Sequence, residues 1–335
     1  MLGIARAHTN IALIKYWGKK DKDLFLPMTS SLSLTLDAFY TDTKVQFDPS
    51  LQQDEFYLNL IPQEATPITR FLNLFRQYMD KTYYARVESL NFVPTGAGLA
   101  SSASAFAALA GAINVASQLH FDAETLSTFA RQGSGSATRS IYGGFVEWEK
   151  GTSSQTSLAK HIDNAEWDIG MIIIVVNTKE KTISSRSGME HTVKTSPFYP
   201  AWVESSKQDL IAIKKAIHTK NFQTVGEIME WNSMKMHATM LGANPPFSYF
   251  EPESILAHQQ VYRLRQLGLP VYMTMDAGPN VKLLCRASDM DTIKKELSSV
   301  FSKNQLISSL PGKAMRTLTE KEWEHSLNTF KEHQL

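Results

Sequence analysis

Pro94-Thr95-Gly96-Ala97-Gly98-Leu99-Ala100-Ser101-Ser102-Ala103 is the segment of this chain richest in chemistry. A glycine-rich turn that feeds a helix leaves several backbone N–H groups unpaired at the positive end of the helix dipole. Ser101 and Ser102 add hydroxyls that can donate to a phosphate or reach a metal ion, so the segment reads as a polyphosphate cradle. The plainer alternative is a tight turn with Ser101 as N-cap. A Walker A loop is excluded because no Lys follows the last glycine, and the dinucleotide fingerprint because Ser101 fills its third small position. A second segment, Arg131-Gln132-Gly133-Ser134-Gly135-Ser136-Ala137-Thr138-Arg139, surrounds two serines with glycines and ends on an arginine. Such a turn permits close backbone approach to a ligand, and the planar guanidinium fork can hold two oxygens of a phosphate or carboxylate at once. Asp276 opens a third, Asp276-Ala277-Gly278-Pro279-Asn280, which is also good turn chemistry on its own.

These groups need elements to hold them. Tyr84 to Val93 alternates and carries aromatic and β-branched residues, which predicts a strand entering the glycine-rich turn. Ser101 to Ser117 is packed with alanine, which predicts a helix that neighbours can approach closely and that is central to the fold. Phe145 to Trp148 and Gly170 to Asn177 read as strands, the second apolar enough to be covered on both faces. From Pro200 to Gly268, Leu210, Ile213, Ile217, then Val225, Ile228, Met229, then Ile255, Val261, Leu264 fall at helical spacing and predict three successive helices. Strands return at Tyr272 to Met275 and Val281 to Cys285, followed by a helix near Met290 to Phe301. The pattern is α+β in two lobes, joined between Asn177 and Pro200.

The length of 335 residues fits two lobes around a shared cleft. Hydrophobic residues at 43% supply a substantial core, and 34 Lys plus Arg against 33 Asp plus Glu give no global field for nucleic acid or an anionic membrane. Any anion site must therefore be a local concentration of charge. The lone Cys285, at the end of an apolar strand, cannot form an intrachain disulfide and reads as a small buried hydrophobe. The longest aliphatic run, Met171 to Val176, is far short of the ~20 residues that cross a bilayer, and the start of the chain carries no signal-peptide apolar region. A cytoplasmic setting fits these features best.

The glycine-rich segment resembles the phosphate-binding motif of the GHMP kinase superfamily of small-molecule kinases. Four further segments resemble the mevalonate diphosphate decarboxylase family within it: Ala7-His8-Thr9-Asn10-Ile11-Ala12-Leu13-Ile14-Lys15-Tyr16-Trp17-Gly18-Lys19 followed by Leu26 to Ser33; Arg131 to Trp148; Ser184-Ser185-Arg186-Ser187-Gly188-Met189; and Met275 to Asn280. Gly96 stands where that family usually has Ala, and Thr138 where Cys or Ala is common; neither removes a functional group.

The resemblance implies a two-lobed GHMP-kinase-like fold, with residues 1–185 forming the ATP-binding lobe, residues 186–335 the other, and a ribosomal-protein-like topology in the first. It implies ATP-dependent decarboxylation of (R)-5-diphosphomevalonate to isopentenyl diphosphate, with ATP and Mg2+ required. Asp276, Arg139 and Lys19 are the implied catalytic residues, Asp276 facing the 3-hydroxyl and Arg139 the substrate carboxylate. Substrate contacts are implied for Tyr16, Trp17, Gly18, Lys19, Arg70, Ser134, Gly135, Ser136, Ala137, Thr138, Arg139, Ser185, Arg186 and Thr195. Nucleotide contacts fall on Gly96, Ala97, Gly98, Leu99, Ala100, Ser101, Ser102 and Lys181, with Ser101 or Ser102 near the metal. Lys15 is expected to be structural support, pairing with Asp276 or steadying the first motif, and the Ser184 to Arg186 loop to close over ligand. A homodimer is the implied assembly. The alternatives are a kinase of the same superfamily, a decarboxylase for the monophosphate, or a non-catalytic nucleotide- or RNA-binding protein.

Overall fold

The computed structural model describes residues 1–21, 23–93, 101–177 and 182–332. The expected nucleotide contacts at Gly96, Ala97, Gly98, Leu99, Ala100 and Lys181 lie outside them. The N-terminal part runs β1 (Leu2–Ile14), β2 (Lys19–Asp21), β3 (Leu26–Pro27), β4 (Ser31–Asp48), β5 (Glu55–Leu58), β6 (Ile61–Gln63), α1 (Thr66–Arg76), β7 (Tyr84–Phe92), α2 (Ser101–Ser117), α3 (Ala123–Gly133), β8 (Phe145–Trp148) and β9 (Ala159–Asp163). There follow β10 (Gly170–Ile174), α4 (Ser185–Thr195), α5 (Tyr199–His218), α6 (Phe222–Leu241), α7 (Pro252–Gln266), β11 (Val271–Met275), β12 (Val281–Cys285), α8 (Met290–Leu297), β13 (Leu306–Ser309), β14 (Arg316–Thr317) and α9 (Glu320–Glu332).

Two sheets carry the molecule. The larger has the order β14-β1-β4-β7-β5-β6, with β8 and β9 branching from β4; the smaller is β11-β12-β10-β13, antiparallel throughout. The alanine-rich α2 lies directly on β1 and β4. The approach is so close that a Cβ at Gly3 would stand 2.1 Å from the Ala112 carbonyl oxygen, and one at Gly111 3.0 Å from Ala5 Cβ. Only small residues on both surfaces permit it, which is why Ala5, Ala7, Ala107, Ala108 and Ala112 share this core with Phe71 and Phe75 of α1.

The lobes are fused rather than merely adjacent. Ile11, Leu13, Leu32 and Leu34 of the first sheet share one buried cluster with Met171 and Ile173 of the second and with Ile213, Ile217, Val225 and Met229 of α5 and α6. The sheets do not divide at residue 185: β10 already belongs to the second sheet, while β14 pairs with β1 and α9 packs on β4 and β7. The chain thus returns to its first lobe at the end, and a strand of two residues was too short to be legible in the sequence. The expected loop at Ser184 to Arg186 is instead the start of α4, capped by the Ser184 hydroxyl, which accepts from the Ser187 N–H at 3.1 Å. No helix among the described residues is long and apolar enough to cross a membrane.

Candidate active site

The end of β1, the turn after β11 and the middle of β12 bring three charges together. Lys15 Nζ lies 2.7 Å from Asp276 Oδ1, and Lys282 Nζ lies 3.2 Å from Asp276 Oδ2. The lysine side chains are sealed, at 2% and 0% exposure, whereas Asp276 keeps 25% of its side-chain surface open. The carboxylate is therefore the member of the trio that a ligand can reach. Burial opposes its charge, but the Coulomb attraction of Lys15 and then Lys282, with their hydrogen bonds, wins and holds it well below the usual carboxylate range. Lys15 is driven down to about 8, first by desolvation, against which Asp276 works, with Lys282 and Arg139 adding repulsion. The Lys15–Asp276 pair is the one the sequence suggested. Lys282 was missed, although a lysine inside the apolar run Val281-Lys282-Leu283-Leu284-Cys285 was the available signal.

Arg139 faces this trio from the 3-10 helix Gly135–Ile141. It is buried, yet its partners are neutral: Nε donates to Asn10 Oδ1 at 3.2 Å and Nη1 to Ser31 Oγ at 2.5 Å. The guanidinium sits over Trp148 at 5.9 Å. Burial lowers its pKa to about 10, while Asp276 and Tyr16 are close enough to favour the charge. Asn10 is itself fixed, donating to the Ser136 carbonyl and to Ser140 Oγ. Lys15, Lys282 and Arg139 outnumber Asp276 three to one, so the cluster is cationic and lacks an anion.

The rest of the expected first motif lines the same space. Tyr16 packs on Trp148 with ring centroids 4.8 Å apart, and its buried hydroxyl has no partner among the described residues. Burial raises that phenol, while the charges of Arg139 and Arg186 pull the other way. Trp17 is buried, its indole N–H has no partner among the described residues, and its carbonyl accepts from Tyr199 Oη at 2.7 Å. Gly18 has φ +100°, and a Cβ there would lie 2.0 Å from Tyr199 Oη. Gly18→Ala is therefore expected to cost about 2–3 kcal/mol from backbone strain and the collision, seen as a lower melting temperature with a raised KM for substrate.

Ser102 Oγ meets Ser134 Oγ at 3.1 Å, and Ser134 Oγ meets Ser136 Oγ at 3.3 Å. This hydroxyl row joins the N-terminus of α2, where Ser101 and Ser102 are exposed, to the Arg139 turn. Gly135 and Ala137 are buried beneath it, and the Thr138 hydroxyl donates to the Gly135 carbonyl at 2.8 Å, so Thr138 stiffens the turn. Exposed hydroxyls at a helix N-terminus fit a polyphosphate. Among the described residues no group of His, Cys, Asp and Glu forms a metal cage; a divalent ion would rest on phosphate oxygens with Ser101 or Ser102.

Three expected contacts have local surroundings of their own. Arg70 is exposed on α1, beside a groove lined by Asp54, Glu55, Tyr57, Glu64, Thr66 and Tyr84. Thr195 closes α4, roughly 15 Å along the axis from Ser185 at 1.5 Å per residue. Its hydroxyl donates to the His191 carbonyl at 2.9 Å and accepts the Asn244 N–H at 3.0 Å. Lys19 sits on the β2–β3 hairpin with Nζ 3.6 Å from the centre of the Phe25 ring, and it is Lys15 that meets Asp276. Cys285 is buried as expected, and desolvation pushes its thiol up to about 12.

The arrangement can bind anions along a row of hydroxyls and hold one reachable carboxylate in a cationic frame. The two parts of the chain that build it each match a known domain. Residues 7–159 match the model of the diphosphomevalonate decarboxylase-like N-terminal domain, and residues 171–334 that of the mevalonate 5-diphosphate decarboxylase C-terminal domain. A diphosphomevalonate decarboxylase from Ganoderma lucidum is 40% identical over 304 residues, covering 82% of this chain and 76% of its own. The mevalonate diphosphate decarboxylase of Enterococcus faecalis, solved in a study of ATP binding mediated by mevalonate diphosphate, is 51% identical with TM-score 0.90, covering 95% of this chain and 99% of that one. A solved complex of MDDEF with MVAPP, AMPPCP and magnesium is 52% identical with TM-score 0.90 and the same coverage. Two matched domain models and these alignments show that the chain belongs to the diphosphomevalonate decarboxylase family.

Proposed function

We propose that this protein catalyses the ATP-dependent decarboxylation of (R)-5-diphosphomevalonate to isopentenyl diphosphate, releasing ADP, phosphate and CO2. The observation that carries the proposal is Asp276, an open carboxylate clamped between Lys15 and Lys282 and faced by a buried Arg139 without an anionic partner. A tertiary hydroxyl is a poor leaving group, so phosphorylation must precede its loss. Phosphate then departs as CO2 leaves the neighbouring carbon, and the C–C bonding electrons become the alkene. Asp276, held ionised and thus a weak base, accepts a hydrogen bond from the 3-hydroxyl and orients its oxygen. The same fixed negative charge opposes the positive character that develops at the carbon losing phosphate. Arg139 pairs the substrate carboxylate through the guanidinium N–H groups that Asn10 and Ser31 leave free. Tyr16 and Trp17 offer the 5-diphosphate donors that have no partner among the described residues, and the charge of Arg186 acts on the same phenol.

Ser101 and Ser102 would hold the nucleotide phosphates, with Ser134 next to them on the substrate side, and Mg2+ would neutralise the phosphate charge. Lys19, Arg70, Ser185, Thr195, Lys181 and the Gly96 to Ala100 turn remain within the proposed binding set as family positions, and a cytoplasmic homodimer belongs to the same proposal. The direct test compares kcat/KM on the diphosphate with that on the monophosphate. A marked preference for the diphosphate is expected, and preference for the monophosphate would overturn the substrate assignment.

Lys15 gives the reaction a pH signature. Its folded pKa, about 8, lies below its ordinary 10.5, so the unfolded chain binds more protons between those values and this group makes stability rise with pH there. Deprotonation nevertheless removes one of the two cations fixing Asp276. kcat/KM, which reports the free enzyme, is therefore expected to fall as pH rises through about 8, without a parallel loss of melting temperature. A flat profile to pH 9.5 would contradict it.

A further inference from the structure

Strand β11 is the outer strand of its sheet, hydrogen-bonded to β12 on one side. Its other side is covered by α6, whose side chains take the places of a missing strand. The Met273 N–H donates to Glu230 Oε2 at 2.8 Å, and the Met275 N–H donates to Ser233 Oγ at 3.0 Å. The Ser233 hydroxyl in turn donates to the Met275 carbonyl at 3.1 Å, which His237 Nε2 approaches at 3.4 Å. Positions 230, 233 and 237 share one helical face, and alternate strand residues 273 and 275 point to one edge, so the two periods match. Neighbouring Asn232 turns to the other lobe, where its Oδ1 accepts the Lys15 N–H at 2.9 Å. Its amide nitrogen donates to Asp209 Oδ2 at 2.8 Å and Ser206 Oγ at 3.2 Å on α5, which locks the amide orientation.

We infer that α6 is the frame of the catalytic ion pair, with Ser233 a positioning residue that sets Asp276 through the backbone of Met275 while Asn232 sets Lys15. One rigid helix thereby fixes both partners, although they lie 261 positions apart in sequence. A serine bonding both polar groups of a single residue leaves that residue little freedom to rotate, and Asp276 is the next residue. Groups that face Asp276 come from every element around it: Lys15 after β1, Lys282 on β12, Arg139 on the 3-10 helix and His237 on α6, whose neutral ring is kept down to about 4 by desolvation. The inference rests on the proposed decarboxylation for its kinetic arm alone.

Ser233→Ala is expected to lower kcat by about ten- to a hundred-fold, the scale of a small misplacement of a reacting group, with KM for both substrates changed less than two-fold. Ser233→Thr, which keeps the hydroxyl, should recover most of kcat. Glu230→Gln bonds the same strand edge two residues further from Asp276, so it should leave kcat unchanged. Ser233→Cys keeps the side-chain volume with a weaker donor and serves if alanine leaves too little folded protein; it should fall on the same side as alanine. Equal losses in S233A and S233T, or in S233A and E230Q, would overturn the inference, as would wild-type kcat in S233A. A second readout needs no turnover: the 13C carboxyl titration of Asp276 should move up toward the ordinary value in S233A. An unchanged titration overturns the positioning role, whereas a wild type inactive on diphosphomevalonate overturns only the proposed reaction.

Discussion

Asp276→Asn should abolish turnover to about a thousandth of wild type or less, combining loss of the hydroxyl-orienting acceptor with loss of the fixed charge, while substrate affinity stays within a few-fold. The substitution is nearly isosteric and keeps an amide oxygen for Lys15, so the cleft retains its shape. It leaves Lys15 and Lys282 buried beside a neutral group, and breaking a buried pair costs about 3–5 kcal/mol when the remaining charge cannot be lost. Lys15, already down to about 8, can lose it. The variant should therefore be less stable than wild type at pH 7 and recover stability as pH rises toward 9, because Lys15 is then neutral in the folded state. Thermal melts across that range, with calorimetric binding of diphosphomevalonate, separate lost chemistry from lost fold. Near-normal turnover by folded D276N would contradict the role.

Arg139→Lys should lower kcat/KM by about a hundred- to a thousand-fold, the scale of removing one preorganised donor from the reacting centre. The replacement keeps the charge but not the fork. In the structure Nε and Nη1 are committed to Asn10 and Ser31, and the remaining Nη2 has no bond among the described residues. One guanidinium thus anchors itself to the protein and still has an N–H left for a ligand. An ammonium can satisfy Asn10 or Ser31, or meet the ligand, but its reach and geometry cannot do both. Truncating the anchor tests the same geometry from the other side, since Asn10→Ala should loosen Arg139 and raise KM without removing any charge.

Much of this was legible because particular segments carry one dominant signal. The alanines of α2 and the apolar run of β12 fixed those elements to the residue, at Ser101–Ser117 and Val281–Cys285. The two longest strands were not read as strands. Arg6, His8 and Asn10 in β1, and Asp42 in β4, break the alternation that marks a half-buried strand. Those polar residues are paid for by tertiary partners: Arg6 forks onto Asp42 at 2.7 Å, and Asn10 holds Arg139. At the site, Asp276, Arg139 and Lys15 were visible through motifs. Lys282 and Ser233 were not, since one lies within a strand and the other within a helix that reads as ordinary amphipathic packing. Their role exists only when β11, β12 and α6 meet. Arg70 rests on resemblance alone, an exposed residue of α1 that nothing in its local pattern marks out.

Incubation of the protein with (R)-5-diphosphomevalonate, ATP and Mg2+, following ADP, CO2 and isopentenyl diphosphate in one sample, tests the central claim most directly. Equimolar formation of all three, dependent on Asp276, is the predicted result; ADP accumulating without CO2 or alkene would make the protein a kinase and contradict it.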